Sequence, residues 1–155
     1  FASALLILVT AFYIRRIEKR PLATIGLTRG RVPRRYIAGF GIGVAMIALT
    51  SWPAFVTEEV AWKGVTPLVA LFFGAFLIQG AAEEVLFRGA LLSGLSRRLG
   101  VFRAVALSSA LFASMHIASM EGLLHWLVLF ALGALMAVVT VRTNSLWAAC
   151  GLHTA

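Results

Sequence analysis

Cysteine is almost absent from this 155-residue chain, which has only Cys150. A single thiol excludes an internal disulfide and a metal site built from several cysteines. We interpret Cys150 as a small buried apolar residue. Acidic residues are also few, six against fourteen lysines and arginines, and only 13% of all residues are charged. Because soluble domains have about a quarter of their residues charged, this composition argues against a soluble protein.

Apolar residues make up 61% of the chain, and the mean hydropathy is +0.94. They fall into six stretches that favour helices in a membrane. The sequence therefore predicts an all-α fold, a polytopic transmembrane helical bundle of about six helices. The approximate bounds of the stretches are residues 1–14, 36–56, 66–96, 101–119, 122–141 and 145–155.

The chain has no run rich in Pro, Gly and Ser that would divide it, so we expect a single transmembrane domain over residues 1–155. It begins and ends inside apolar runs, so we expect this domain to be truncated at both ends. The first run lacks the basic start and the cleavage site of a signal peptide and ends in RRIEKR, which favours a transmembrane segment.

Basic residues are concentrated in alternate loops. Residues 15–35, 97–103 and 142–144 carry most of the arginines, whereas residues 57–67 and 119–122 carry three of the six acidic residues. The positive-inside rule places the first three loops in the cytoplasm, which predicts an integral multi-pass protein, in the plasma membrane if the source is bacterial. The net charge of +8 then reflects anchoring to membrane lipids. No nucleic-acid-binding module accompanies it, so we do not expect a nucleic-acid partner.

The third apolar stretch is too long for a simple crossing. Its 31 residues would extend about 46 Å as a helix, against a hydrocarbon core of about 30 Å. The helix must tilt, break or protrude, and Gly80 is a candidate position for a bend.

Two pairs of adjacent glutamates occur, each followed by a basic residue at the i, i+4 spacing of a helical ion pair. Glu58 and Glu59, with Lys63, lie in a predicted outer loop, where a solvated pair needs no further explanation. Glu83, Glu84 and Arg88 lie inside the third apolar stretch, where each charge costs at least ~2.5–3.5 kcal/mol. Arg88 can neutralise Glu84 as a structural pair, but Glu83 then has no partner, which favours a functional site.

The histidines divide by position. His125 lies near the predicted outer surface, one turn after Glu121, and we interpret it as a structural residue. Glu83, His116 and His153 lie 14, 13 and 11 positions from the nearest basic residue of the cytoplasmic loops, or about 16–21 Å along a helix. They can therefore meet at one depth as an acid–base site, although a proton or ion relay of a transporter would use the same residues.

Three motifs resemble those of the CAAX protease and bacteriocin-processing family (CPBP, also called Abi), which includes the type II CAAX prenyl endopeptidases. EEVLFRG at 83–89 resembles the EExxxR motif, FASMH at 112–116 resembles FxxxH, and GLHTA at 151–155 resembles the start of the third motif. The motifs occur in the family's order on separate predicted helices, and the resemblance covers roughly residues 66–155.

The resemblance implies an intramembrane endopeptidase that acts on a peptide or protein substrate, with a C-terminal segment as one candidate. Glu83 would activate the water, His116 would position it, and His153 would stabilise the oxyanion. Glu84 and Arg88 would support the site, either by orienting it or by contacting the C-terminal portion of the substrate. Phe112 of the second motif would also be a supporting residue. A non-catalytic immunity or scaffold protein of the same fold is the main alternative, and a transporter is the second.

The last question raised by the sequence is whether the protein uses a metal ion as a cofactor. The resemblance favours a glutamate-dependent mechanism without a cofactor. The alternative is a metalloprotease in which Glu83, His116 and His153 bind Zn²⁺, since carboxylates and imidazoles are zinc ligands. A zinc-binding HExxH helix is absent from the sequence.

Overall fold

The computed structural model describes residues 2–57, 64, 67–119 and 122–155. These residues form an all-α fold, which confirms the predicted class, with six helices besides short 3₁₀ and π-helical turns. Their bounds are α1 Ala2–Phe12, α2 Val32–Val56, α3 Pro67–Leu99, α4 Val101–Met115, α5 Leu123–Thr143 and α6 Trp147–Thr154. The predictions made for Glu58, Glu59, Lys63 and Glu121 lie outside the described residues.

Three of the described helices are long and apolar enough to cross a membrane, namely α2, α3 and α5. Helix α4 is apolar but shorter. It ends four residues before the predicted span does, and a 3₁₀ turn, Ile117–Ser119, follows. The structure thus supports a membrane protein, while the crossing of all six predicted spans stays a prediction.

Helix α3 departs from regular α geometry in its second half. The α-helix continues through Gly80 to Glu84, so the expected irregularity does not lie at the glycine. It lies in a π-helical segment, Val85–Leu91, which follows directly after the glutamates. Such π segments are often found at functional sites, and this one contains Arg88.

Glycines allow α2 and α6 to cross at very short range. A Cβ at Gly39 of α2 would lie 2.0 Å from the Ala148 carbonyl oxygen, and one at Gly151 of α6 would lie 2.1 Å from the Tyr36 carbonyl oxygen. Backbones can approach this closely only where side chains are missing, as in membrane helix pairs built on small residues. The crossing holds α6, and with it His153, against the bundle.

The three arginine-rich loops lie at one end of the bundle. Glu18 accepts a hydrogen bond from Arg97 at 3.1 Å, which joins the first loop to the end of α3. The Leu146 N–H donates to the Gly26 carbonyl at 2.9 Å, which joins the first loop to the segment before α6. Cys150 is buried beside this junction, in a cluster with Leu146, as expected from the sequence.

Candidate active site

Glu84 and Arg88 form a buried ion pair on α3. Arg88 Nη1 donates to Glu84 Oε1 at 2.8 Å, and both side chains are fully buried. The i, i+4 pairing predicted from the sequence is therefore present. Two charges without contact to water are stable only when their hydrogen bonds are well formed, so the surroundings of this pair decide its geometry.

Arg88 is also held by neighbouring helices. Its Nη2 donates to the Gly133 carbonyl of α5 at 3.2 Å, and its guanidinium carbon lies 4.2 Å from the centre of the Phe112 ring. The ring face attracts the cation. A Cβ at Gly133 would lie 3.3 Å from Arg88 Nη2 and 3.2 Å from the Phe112 ring, so the glycine leaves the space that the guanidinium occupies.

His153 joins the ion pair from α6. Its Nδ1 lies 2.8 Å from the same Glu84 oxygen that receives Arg88. A carboxylate paired with an arginine can only accept, so Nδ1–H of His153 is the donor. This contact leaves Nε2 of His153 as the ring atom that faces Glu83, at 3.6 Å from Glu83 Oε2.

His116 owes its orientation to the end of α4. The last carbonyls of a helix have no partner within it, and the His116 ring nitrogen Nδ1 lies 2.9 Å from the Phe112 carbonyl oxygen. The carbonyl accepts, so Nδ1 carries the proton. Nε2 of His116 is then directed at Glu83, with a separation of 3.9 Å from Oε2.

Glu83 lies between the two imidazoles and is anchored through one oxygen only. Gln79, one helical turn earlier, donates to Oε1 at 3.1 Å. The other oxygen, Oε2, is buried and makes no hydrogen bond among the described residues. Separations of 3.6 and 3.9 Å to the two Nε2 atoms are too long for direct hydrogen bonds, but one water molecule could bridge all three atoms.

The structure thus brings together all six residues singled out in the sequence, and it adds others. Gln79 was not predicted, although its i, i+4 spacing from Glu83 was a usable signal. Gly133 gave no signal, because its role depends on the contact between α5 and Arg88. His125 lies on α5, partly exposed, and does not line the cavities around Glu83.

Two cavities open onto this cluster. One, of about 360 Å³, lies between α1, α3 and α4 and is lined by Glu83 and His116. The other, of about 240 Å³, is lined by His116 and His153 together with apolar side chains of α2 and α5. His116 lines both cavities and so lies between them, and the walls around it are largely apolar.

The distances in the cluster match those of a zinc site only in part. Ligands 2.0–2.2 Å from a tetrahedral zinc ion lie about 3.3–3.6 Å from one another. His153 Nε2 and Glu83 Oε2, 3.6 Å apart, are within this range, whereas His116 Nε2 and Glu83 Oε2, 3.9 Å apart, are beyond it. Among the described residues, no group of three or more His, Cys, Asp or Glu side chains is arranged to hold a metal ion.

Chemically, the cluster combines a partly buried carboxylate with two oriented imidazoles, which are the groups that acid–base hydrolysis requires. The family comparison agrees. The family model described as "Type II CAAX prenyl endopeptidase Rce1-like" matches residues 65–155, more than half of the chain, and the chain belongs to this family.

Family membership supports a CAAX-type intramembrane protease, and hence a hydrolase with a peptide or protein substrate in a membrane environment. Comparison of the chain with curated proteins and with solved structures found no match.

Proposed function

We propose that the protein hydrolyses a peptide bond within the membrane by means of a water molecule activated by Glu83, without a metal ion. The observation that carries this proposal is the setting of Glu83 Oε2. It is buried without a hydrogen bond among the described residues and is faced by the Nε2 atoms of His153 and His116 at 3.6 and 3.9 Å. A water held by these three atoms would lie next to a base and two proton carriers.

The positions of the protons on the rings of His116 and His153 follow from the contacts of their Nδ1 atoms. Both Nδ1 atoms carry a proton, because Glu84 and the Phe112 carbonyl can only accept there. Protonation changes therefore occur at the two Nε2 atoms and at Glu83. A water can donate only two protons to three acceptors, so in the proposed reaction Nε2 of His153 carries a proton and acts as a donor.

The reaction is then a general acid–base hydrolysis. Glu83 removes a proton from the water while the water oxygen forms a bond to the carbonyl carbon of the substrate. The Nε2–H of protonated His153 donates to the oxyanion that develops, with His116 holding the water in line. As the C–N bond breaks, Glu83 returns its proton to the leaving amine, so that Glu83 ends ionised again.

Glu84, Arg88 and Phe112 are positioning residues in this scheme. Glu84 sets the tautomer and rotation of His153, and Arg88 fixes Glu84. Phe112 contributes its carbonyl to His116 and packs its ring edge-to-face with the His153 ring, at 5.9 Å between centroids. None of the three needs to touch the substrate.

We further propose a multi-pass arrangement in which the loops at 15–35, 97–103 and 142–144 face the cytoplasm, in the plasma membrane if the source is bacterial. The contacts that join these loops at one end of the bundle support a common side for them. The positive-inside rule supplies the direction.

The test uses the full-length protein in liposomes and a mixed library of synthetic peptides, with and without a prenylated cysteine. Wild-type protein should cleave some of them, and in isotopically labelled water the new carboxyl terminus should gain one labelled oxygen. Glu83→Gln should lose about 10²–10⁴-fold in kcat, the contribution of a positioned acid–base group. Glu58→Gln, in the chain's other glutamate pair, is the matched control and should cleave normally.

Unchanged cleavage by Glu83→Gln would refute the assigned base. If the wild-type protein cleaves no peptide, and cells that carry Glu83→Gln behave like wild-type cells, a non-catalytic scaffold of this fold is favoured instead.

A further inference from the structure

Two cavities lie side by side along the seam between α1 and α3. The cavity of about 360 Å³ that contains Glu83 and His116 adjoins a second one of about 450 Å³, which reaches Arg98 near the end of α3. Leu6 of α1 and Leu86 of α3 line both cavities. The two cavities are therefore neighbours along the seam between α1 and α3, here called the α1–α3 groove, which runs from the acid–base cluster to the basic end of the bundle.

Small residues on α3 form the floor of the second half of this groove. Ala90 and Gly94, one helical turn apart, both line it, and a Cβ at Gly94 would meet no atom within 4 Å. The walls are contributed by apolar side chains such as Val9 and Leu95. This half of the groove therefore suits an extended chain with apolar side chains.

The end of the groove away from Glu83 is lined by charged side chains. Arg97 and Arg98 line the groove there together with Glu18. Glu18 is already engaged by Arg97 at 3.1 Å and by Arg20. Arg98 is exposed and takes part in no ion pair among the described residues. The end of the groove thus offers one guanidinium to a negatively charged group, and a carboxylate matches its geometry.

We propose that the α1–α3 groove binds the substrate segment adjoining the scissile bond, and that Arg98 recognises an acidic residue of that segment. This inference rests on the proposed hydrolytic function of Glu83. It makes Arg98 a specificity-determining residue and defines the substrate as a largely apolar peptide with an acidic side chain at a set distance from the cleaved bond.

That distance follows from the helix. Arg98 comes fifteen residues after Glu83, which corresponds to about 22 Å along α3. An extended peptide covers about 3.3–3.6 Å per residue, so the acidic residue should lie about six residues from the scissile bond.

The experiment starts from one peptide that the liposome-reconstituted full-length protein cleaves. Glu, Gln or Lys is placed in turn at each position on either side of the scissile bond. Wild-type protein should prefer Glu over Lys by about 3–10-fold in kcat/KM at one position, about six residues from the bond on one side. Arg98→Glu should invert this preference and favour Lys at that same position. Arg103→Glu, which makes the same charge change outside the groove lining, should keep the wild-type preference.

Vesicle composition distinguishes binding of the peptide by Arg98 from binding of anionic lipid headgroups. The series is repeated in vesicles of phosphatidylcholine alone and in vesicles that contain anionic phosphatidylglycerol. If Arg98→Glu alters cleavage of all peptides alike, and only in the anionic vesicles, then Arg98 binds lipid headgroups and the proposal is overturned. It is also overturned if no position shows a preference that inverts.

Binding separates this inference from the proposed function. Fluorescently labelled Glu and Lys peptides are titrated against the Glu83→Gln protein with either Arg98 or Arg98→Glu. Arg98-dependent preference for the Glu peptide supports the groove even if the wild type cleaves nothing, in which case only the hydrolytic assignment fails. Equal binding of both peptides overturns the groove, whether or not cleavage occurs.

Discussion

Nδ1 of His153 and Oε1 of Glu84 lie 2.8 Å apart, although 69 residues separate them in the chain. The same oxygen receives Arg88 at 2.8 Å. A single carboxylate atom therefore links a buried cation to the imidazole that faces Glu83. This arrangement divides the adjacent glutamates by task, because Glu84 points into the bundle and Glu83 points toward the cavity and the two histidine rings.

Replacing Glu84 by Gln should impair catalysis through His153. The amide has no charge to favour the imidazolium and can offer a donor where an acceptor is needed, so kcat should fall by about 10²-fold or more while KM changes little. Steady-state cleavage assays measure both constants. Because the two residues act as a unit, Glu84→Gln should add almost nothing to the loss caused by His153→Asn. Additive losses in the double variant would contradict this coupling.

Replacing Arg88 by Met should destabilise the fold by about 3–5 kcal/mol, because it leaves the Glu84 carboxylate buried without its cation. Unfolding of the detergent-solubilised protein provides the measurement. Adding Glu84→Gln to Arg88→Met should restore part of the lost free energy of unfolding, since the uncompensated charge is then removed. If the double variant is less stable than Arg88→Met, the uncompensated charge of Glu84 is not the cause of the instability.

The common depth of the site residues in the membrane could be predicted from the sequence. Glu83, His116 and His153 were expected at one level of the membrane from residue counts alone, and the measured separations of 3.6 and 3.9 Å agree with that expectation. Helical rise is nearly constant, so distances along parallel helices translate into height. The order of the six helices was predictable for a similar reason, since apolar runs and basic loops alternate along the chain.

Rotation between helices was not predictable. The sequence paired Glu84 with Arg88 on its own helix, but the contact with His153 depends on how α6 faces α3, which no residue count determines. The close approach of α2 and α6 at Gly39 is of the same kind. The π-helical segment after Glu84 could not be predicted from the periodicity of the sequence either. Its winding depends on contacts with other helices.

The crossing of α2 and α6 should be intolerant of any side chain at Gly39. Even Ala would place Cβ 2.0 Å from the Ala148 carbonyl oxygen, and such overpacking destabilises by about 1–3 kcal/mol. Gly39→Ala should therefore lower the thermal unfolding midpoint. Gly41 is the matched control on the same helix, since a Cβ there meets nothing within 4 Å. Gly41→Ala should be neutral or stabilising by about 0.5–1 kcal/mol, and equal effects of the two changes would contradict this packing.

Glu18 should give the folded protein a pH-dependent contribution to stability. Burial by itself raises the pKa of Glu18, but the hydrogen bonds and charges of Arg20 and Arg97 outweigh burial, and the pKa is lowered from 4.5. A carboxyl with a lowered folded-state pKa stabilises the fold above its unfolded-state pKa, and this stabilisation is lost as the pH falls through the folded-state value. Glu18→Gln should thus be less stable than the wild type near neutral pH. The difference should begin to shrink as the pH falls below about 4.5 and should disappear below the lowered folded-state pKa. Unfolding midpoints over a pH series measure it, and a constant difference would exclude this cause.

Removal of metal ions should leave cleavage unchanged. Each histidine uses Nδ1 for a protein acceptor, and the Nε2 atom of His116 stands 3.9 Å from Glu83 Oε2, which is wider than the spacing of ligands around zinc, about 3.3–3.6 Å. Full-length protein treated with a chelator and then dialysed should keep its kcat. The matched control is a zinc-dependent protease carried through the same treatment, which should lose activity and regain it with Zn²⁺. Lasting loss of cleavage in this protein, restored by Zn²⁺, would mean that Glu83 and the two histidines close around a metal, and the glutamate-activated water would then have to be replaced by a metal-bound one.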